Sequence, residues 1–362
     1  MINKNLVKKK AKKIGFDLVG FTTAEPFNDL KTILKKRKEN DELSTFIDDD
    51  LELLTNPKKH MKNAKSIISL AISYGNSKNR SSKLNYSISN YTFGKDYHLV
   101  FNKKLKKLDN YLKNNTKNVE TKLYVDTGPI LDRAIAERAG LGWIGKNNSL
   151  INKKYGSYIF LGEIITNLDF IPDKKVENKC GSCKKCIEIC PGNALIEPYH
   201  INPNKCIGYL TQKKGIIPVE ERKKIGNNLW GCDKCQDICP YNKNIKTDLH
   251  KEFEIKLNED LKTILNFSKS NYPEKWKKAA LSWRGIRILI RNALIVIANS
   301  NLKKYIKEVK ELFGHSSSVI RAYAYWTYSE ISEDYIKILE HQMKKEKSPE
   351  AREELIKILY QR

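Results

Sequence analysis

The sequence lacks any apolar run long enough to span a membrane, and it also lacks several common catalytic motifs. Nowhere do eighteen apolar residues follow one another, and no apolar stretch of signal-peptide length follows the lysine-rich residues 1–13. We therefore expect a soluble, cytoplasmic protein with no membrane partner. No GxSxG elbow and no P-loop lysine motif is present, so acyl and phosphoryl transfer lack their usual residues.

Acidic residues are scarce in relation to basic ones. There are 42 Asp and Glu against 67 Lys and Arg, which gives a formal net charge of +25. A positive field of this size attracts polyanions, so nucleic acid is the first class of partner to consider and an anionic membrane surface is the second. A skewed genomic base composition that enriches Lys, Asn and Ile is the alternative explanation.

Paired metal-ligating histidines are absent, and the one glycine motif stands in the wrong context. The six histidines are scattered, and only His98, in Asp96-Tyr97-His98, lies beside other candidate site residues. Gly140-x-Gly142-x-x-Gly145 matches the dinucleotide fingerprint, but that fingerprint follows a strand, whereas residues 132–139 have a helical pattern. We therefore expect Gly140 to end a helix and not to bind a nucleotide.

Strand and helix patterns predict an α+β multidomain protein. Strands expected at 16–21, 66–73 and 122–125, separated by helical patterns, indicate an N-terminal α/β or α+β domain over 1–168. Gly15 should end the first helix, and Pro129 should be the first residue of the helix after 122–125. Residues 169–248 are rich in Cys, and 249–362 read as an all-α domain, either a helical repeat or an ordinary bundle.

All eight cysteines fall into two blocks. The first is Cys180-x2-Cys183-x2-Cys186-x3-Cys190-Pro191, and the second is Cys206 followed by Cys232-x2-Cys235-x3-Cys239-Pro240. In bacterial ferredoxins this spacing holds two 4Fe-4S clusters, and the fourth thiolate of each run reaches the other cluster. We assign Cys180, Cys183, Cys186 and Cys239 to one cluster and Cys190, Cys206, Cys232 and Cys235 to the second. The displaced Cys206 predicts a loop or helix before Cys232.

Two other uses of the cysteines compete with this assignment. Disulfides are disfavoured because the expected compartment is reducing and every cysteine lies in a metal-ligand spacing. Zinc could occupy four-cysteine sites built from paired CxxC units. Zinc, however, gives no reason for a fourth cysteine three residues further on and directly before proline, in both blocks. Two neighbouring clusters would instead form a path for electrons.

Asp126 is the candidate catalytic residue of the N-terminal domain. It stands at the end of a predicted strand, within a Gly/Pro turn and ahead of a helix. The alternative is an Asp that only caps the helix or braces the turn. A proton donor needs a raised pKa, which burial would favour and a nearby helix N-terminus would oppose. The sequence leaves that balance open.

The order of several segments resembles the epoxyqueuosine reductases, the cobalamin-dependent enzymes that complete queuosine at the tRNA wobble position. The segments are GFDLVG at 15–20, GKDYH at 94–98, VDTGPILDRAIAERAGLGWIGKNNSLI at 125–151, the first cysteine block, CIGYLT at 206–211, GCDKCQDICP at 231–240 and SWRGIRILIRNALIVIAN at 282–299. The likeness covers most of the chain. It implies a cobalamin-binding α/β domain, a ferredoxin-like double-cluster domain and a HEAT-like helical-repeat domain.

The resemblance also implies site residues and partners. Asp126 matches the proton donor of the family. Positions matching cobalamin contacts are Asn90, Asp126, Leu150, Leu161, Gly208, Cys232, Asp233, Lys234 and Cys235, although Asn90 stands where relatives typically have Arg and Gly208 where they have Ser. Candidate tRNA contacts are Lys214, Arg284, Arg287 and Arg291, the arginines as one basic stripe. We further expect an external low-potential donor such as a flavodoxin or ferredoxin, and a monomer.

Three other functions fit parts of these observations. A reductive dehalogenase-like enzyme would also pair cobalamin with two clusters, but no twin-arginine signal is present at 1–5. A non-catalytic electron-transfer module would hold clusters without taking up a corrinoid. An RNA-binding scaffold with structural clusters would bind tRNA whether or not cobalamin is present.

Overall fold

A computed structural model describes residues 2–75, 84–254 and 257–360 of the chain. These residues form two compact units, the first from 2–75, 93–204 and 234–254 and the second from 84–92, 205–233 and 257–360. The fold mixes helices and strands, as expected. None of the described helices is both long enough and apolar enough to cross a membrane.

The first unit contains most of the strands. Its helices are α1 (Lys4–Ile14), α2 (Asn28–Glu39), α3 (Leu51–Thr55), α4 (Pro57–His60), α5 (Tyr97–Asn115), α6 (Asp132–Arg138), α7 (Lys185–Glu188) and α10 (Lys234–Asp237). Its strands are β1 (Leu18–Thr23), β2 (Ser66–Ser73), β4 (Thr121–Tyr124), β5 (Trp143–Ile144), β6 (Leu150–Ile151), β7 (Ile159–Thr166), β8 (Leu195–Glu197) and β9 (His200–Ile201).

The second unit is mainly helical. Its helices are α8 (Ile207–Leu210), α9 (Val219–Ile225), α11 (Leu261–Leu265), α12 (Glu274–Lys277), α13 (Ile286–Asn299), α14 (Ile306–Glu311), α15 (Ser318–Ile331), α16 (Tyr335–Lys345) and α17 (Pro349–Tyr360), and its strands are β3 (Ser87–Ile88) and β10 (Asn228–Trp230). Short 3-10 segments include Asn90–Thr92, Ala280–Arg284 and Lys251–Phe253.

A four-stranded antiparallel sheet positions the candidate site in the first unit. Its strand order is β1-β2-β7-β4. Every residue of β2, SIISLAIS, is buried, because β-branched side chains fill both faces of this central strand. Strand β4 pairs with β7 so that Tyr124 lies opposite Glu163. The strands expected at 66–73 and at 122–125 are therefore present, the second shifted by one residue.

Helix ends in the first unit confirm two glycine predictions and correct one proline prediction. Gly15 ends α1 with a φ of 101°, and Gly140 follows α6 with a φ of 75°. The nucleotide fingerprint therefore begins after a helix and not after a strand. The prediction that Pro129 begins a helix is wrong: residues 126–130 form a bend in which Ile130 N donates to Gly128 O at 2.8 Å, and α6 begins at Asp132.

Helix α13 lies at the centre of the second unit. It is buried from Ile288 to Ala298 and packs against α11, α15 and β10, while α15 packs against α17. Pro349 is the first residue of α17, as expected. Buried Arg222 forms two hydrogen bonds with Glu354, at 2.6 and 2.9 Å, which ties α9 to α17. The HEAT-like repeat stays a prediction, as do the boundaries 1–168, 169–248 and 249–362.

Candidate active site

Asp126 lies in a tight turn directly after β4. Its φ of 53° is in the left-handed region, and Thr127 N donates to Val125 O at 2.5 Å across it. Residues other than Gly, Asn and Asp rarely adopt this conformation. The Asp126 side chain is 57% exposed. Asp126 therefore lies in a turn at the end of a strand, as the sequence predicted, and the structure adds that its carboxylate faces solvent.

The start of α5 brings two polar side chains to this carboxylate, and the capping residue Asp96 holds one of them. Asp96 caps the helix, accepting from His98 N at 2.9 Å, and its Oδ1 lies 2.7 Å from His98 Nδ1. The other ring nitrogen of His98, Nε2, lies 3.5 Å from Asp126, and Tyr97 OH donates to Asp126. The ring of Tyr97 stacks on Phe160 of β7 with centroids 4.1 Å apart. Sequence analysis noted His98 but not Tyr97.

These contacts set the protonation states of the two groups. Burial alone would lower the pKa of His98, but its bonds to Asp126 and Asp96 and their negative charges raise it to about 9. Partial desolvation alone would raise the pKa of Asp126, but its contacts with His98 and Tyr97, with the charges of His98 and Arg133, hold it below its usual value. At neutral pH the pair is an imidazolium facing a carboxylate. The sequence left the direction of the pKa shift of Asp126 open, and the contacts with α5 decide it.

Two further carboxyl groups lie beneath this pair and were missed by sequence analysis. Glu163 is fully buried in β7, and its Oε1 is 3.5 Å from the hydroxyl of Ser69. Asp132, the first residue of α6, lies near enough for its charge to act on Glu163. Burial raises the pKa of both groups, and the charge of Asp126 raises them further. Because two neighbouring buried carboxylates repel each other, we expect the pair to keep a proton at neutral pH.

The structure brings together the four cysteines predicted for the first cluster. Cys180, Cys183, Cys186 and Cys239 all belong to the first unit, where α7 packs against α10. Burial raises the pKa of the Cys186 thiol, and the neighbouring Cys239 and Cys180 raise it further. The pKa of Cys239 is likewise raised by burial and by Cys180 and Cys183. Thiols distant in sequence thus lie within electrostatic range of one another, and none of the eight is in a disulfide.

The other four predicted ligands are Cys190 and Cys235 in the first unit and Cys206 and Cys232 in the second. Between Cys206 and Cys232 the chain forms α8, α9 and β10, which confirms the expected intervening segment. A Cβ atom on Gly208 would lie 3.6 Å from Cys206 Sγ and 3.9 Å from Cys232 N. Gly208 is therefore adjacent to both cysteines of the second unit.

The described residues contain no group of three or more His, Cys, Asp or Glu side chains that converge on a single ion. A four-iron cluster does not require such convergence, since each of its four thiolates binds a different iron atom. The thiol-only donor set suits iron–sulfur clusters because thiolates are soft ligands.

The positions matched to cobalamin contacts form separate groups in each unit. In the first unit, Leu150 is 3% exposed and its side chain packs with Leu161 in one apolar cluster. A ligand could therefore contact Leu150 only through its main chain. In the second, Asn90 N donates to Asp233 Oδ2 at 2.7 Å. Near Leu150, the side-chain nitrogen of Asn148 is buried without a partner among the described residues. An amide donor of this kind suits the peripheral carboxamides of a corrin ring.

The predicted tRNA contacts are only partly accessible. Lys214 and Arg287 are exposed, and Arg284 is half-buried. The prediction for Arg291 is wrong: it is 0% exposed, and its guanidinium donates to the carbonyls of Leu210 at 3.2 Å and Thr211 at 3.0 Å. The three arginines also do not form one helical stripe, because Arg284 precedes α13 and Gly285, with a φ of 80°, separates them.

Comparison with known families agrees with this geometry. Residues 179–242 match the "4Fe-4S double cluster binding domain", and residues 55–127 match "Epoxyqueuosine reductase QueG, DUF1730". The first range contains all eight cysteines, and the second ends one residue after Asp126.

Relatives of known name match over nearly the whole chain. The epoxyqueuosine reductase of Bacillus anthracis is 40% identical over 359 residues, covering 95% of this chain and 93% of the relative. That of Bacillus subtilis is 40% identical, covering 96% and 92%. A crystal structure of an epoxyqueuosine reductase with an epoxyqueuosine-modified tRNA-Tyr stem loop superposes with a TM-score of 0.95 at 39% identity, covering 98% and 97%.

A second solved structure also matches over nearly the whole chain. It is that of the Bacillus subtilis epoxyqueuosine reductase with its catalytic loop swung out of the active site. It superposes with a TM-score of 0.93 at 38% identity, covering 98% of each chain.

The α+β fold and the match to a 4Fe-4S double-cluster domain define the chain as an iron–sulfur oxidoreductase. Within that class, two findings identify the family: a 40% identity to a named relative over 95% of the chain, and the two ranges that match family models. The chain belongs to the epoxyqueuosine reductase family.

The shared proton of Asp132 and Glu163 predicts a pH-dependent stability. Their folded pKa values lie above the unfolded values of about 4, so the stabilising effect is complete below that pH and is lost as pH rises. Replacing Glu163 with Gln removes the buried ionisable group. We expect Glu163→Gln to gain stability relative to wild type as pH rises from about 4 to neutrality, measured by thermal unfolding of the anaerobic, cluster-loaded protein.

Glu177→Gln is the matched control, because Glu177 is 86% exposed. Its pH profile should run parallel to that of wild type. A Glu163→Gln profile that also runs parallel would contradict the shared buried proton.

Proposed function

We propose that this protein reduces the epoxide of epoxyqueuosine in tRNA to the alkene of queuosine. The observation that carries the proposal is the family match across 95% of a chain that contains both cysteine blocks and Asp126. The tRNA stem loop held by a relative with a TM-score of 0.95 supports a tRNA substrate. No observation on the described residues favours a dehalogenase, an electron-transfer module or a scaffold.

The overall reaction joins the epoxide, two electrons and two protons to give an alkene and water. We propose that Cys180, Cys183, Cys186 and Cys239 hold one 4Fe-4S cluster and Cys190, Cys206, Cys232 and Cys235 hold the other. Cobalamin, when bound, would supply the low-potential cobalt centre for reductive cleavage of the carbon–oxygen bond. Asn90, Leu150, Leu161, Gly208 and the loop 232–235 would contribute to its binding, mainly through main-chain groups.

Asp126 would give a proton to the departing epoxide oxygen. Its resting state is a carboxylate, so the proton must reach it from another group. His98 holds a proton at neutral pH and lies 3.5 Å away, with Asp96 fixing its ring. We propose that the proton moves from His98 Nε2 to Asp126 and then to the oxygen. Tyr97 orients the carboxylate.

The partners follow from charge and exposure. A net charge of +25 supports attraction of tRNA phosphates, and exposed Lys214 and Arg287, with half-buried Arg284, are the proposed contacts in the second unit. An external flavodoxin or ferredoxin as electron donor, a monomeric state and a cytoplasmic location remain proposals.

The function is tested directly with reconstituted protein. Wild type with both clusters, cobalamin and a reductant should convert epoxyqueuosine-containing tRNA to queuosine tRNA, measured by mass spectrometry of digested nucleosides. Asp126→Asn should lose about 10²-fold or more in rate, because it cannot donate the proton, while still binding cobalamin. Asp49→Asn, at a side chain that is 94% exposed, is the control.

If wild type left the epoxide unchanged although absorption verified both clusters and the corrinoid, the proposed function would be wrong. Full turnover by Asp126→Asn would remove only the acid role and leave the function standing.

The role of His98 predicts an alkaline limit on turnover. Because the raised pKa of His98 is about 9, wild-type turnover should fall as pH rises through that value. At neutral pH, His98→Gln should turn over more slowly than wild type, and its rate should not fall as pH rises through about 9. Exposed His341→Gln should match wild type at every pH. An identical alkaline limb in His98→Gln would assign the titration to another group.

Electrostatic recognition predicts a steep salt dependence of tRNA binding. The logarithm of the association constant should fall linearly with the logarithm of salt concentration. Lys214→Ala and Arg287→Ala should each reduce the slope by about one if each contacts a phosphate. Lys9→Ala, an exposed lysine of the first unit, is the control. A flat response, or equal slopes in all variants, would contradict these contacts.

A further inference from the structure

The turn 145–148 of the first unit contacts both cysteine-bearing segments of that unit. Lys146 Nζ donates to the carbonyls of Gly181 at 2.6 Å and Cys183 at 3.0 Å. Asn147 Nδ2 donates to the carbonyl of Cys235 at 3.3 Å. Asn148 N donates to Gly145 O at 2.8 Å, which closes the turn. One short loop therefore holds the Cys180–Cys183 segment and the Cys235 segment together.

Lys146 is 9% exposed, which is unusual for a lysine. Its ammonium contacts two main-chain carbonyls, and within the described part of the chain no carboxylate pairs with it. A buried ammonium without an anion is costly unless another negative group is near. Both carbonyls that it contacts lie in the Cys180–Cys183 loop. The compensating negative charge is therefore expected at this loop.

A cluster held by four thiolates is anionic and becomes more so when it gains an electron. Reduction potentials of such clusters respond to local charge, hydrogen bonding and solvent exposure. A positive charge stabilises the reduced form more than the oxidised form, so it raises the potential. The effect of a buried charge is weakly screened by water and salt.

We propose that Lys146 raises the reduction potential of the cluster held by Cys180, Cys183, Cys186 and Cys239. The step is the gain of one electron from the external donor. The amide of Asn147, which contacts the Cys235 carbonyl, carries no charge. The inference rests on the proposed cluster ligands and not on the tRNA reaction.

The test is a redox titration of the anaerobic holoprotein followed by electron paramagnetic resonance. Lys146→Gln, which keeps a donor for the carbonyls but removes the charge, should shift one cluster to a more negative potential and leave the other unchanged. Lys146→Arg keeps the charge and should stay closer to wild type. Lys185→Gln removes an exposed charge of the same segment, on α7, and should cause a smaller shift.

Iron and sulfide content and circular dichroism establish that each variant is loaded and folded. Unchanged potentials in a fully loaded Lys146→Gln protein, or an equal shift in Lys185→Gln, would overturn the proposal. A Lys146→Gln protein that folds but holds only one cluster would also overturn it, because Lys146 would then act in assembly and not in tuning. If the protein failed to reduce the epoxide, that result would contradict the proposed function. The measured potentials would still test the role of Lys146.

Discussion

The packing of α7 against α10 is the constraint on which the candidate redox site depends. These two helices are four residues long and cannot be stable alone, yet their contact brings Cys186 near Cys239. Helix α10 is also fixed to the start of β7: Ser157 Oγ donates to Gln236 at 2.8 Å, and Tyr158 OH donates to Asp237 at 2.5 Å. The metal-ligand segment is therefore supported by the sheet and does not stand as a separate ferredoxin.

The same sheet arranges acidic groups with opposite protonation. Asp126, at the exposed end of β4, is held as a carboxylate by His98 and Tyr97, while buried Glu163 retains a proton with Asp132. These carboxyl groups differ because Asp126 faces a cationic ring and a phenol, whereas Glu163 is fully buried beside a second carboxyl group and a serine hydroxyl. Such a separation of pKa values is what acid–base chemistry near neutral pH requires.

Some elements could be predicted because local physics decides them. Residues 66–73 form a buried strand because their apolar β-branched side chains suit no other local structure, and Gly15 and Gly140 end helices because they adopt positive φ. Pro129 was misplaced because the bend at 126–130, anchored by the contacts of Asp126, delays the helix to Asp132. Arg291 was misplaced because helical spacing cannot distinguish a solvent-facing arginine from one bound to carbonyls of another segment.

The chain by itself determined the chemistry: thiols at ferredoxin spacing, an aspartate in a turn after a strand, a large positive charge and a family resemblance that covers most of its length. These follow from residue types and short spacings, which are local properties. Only the tertiary structure decided which groups meet, such as His98 with Asp126, Asp132 with Glu163, and Lys146 with the Cys180–Cys183 loop. The reason is that burial and electrostatic coupling depend on distances between segments, and the sequence does not encode those distances in any short pattern.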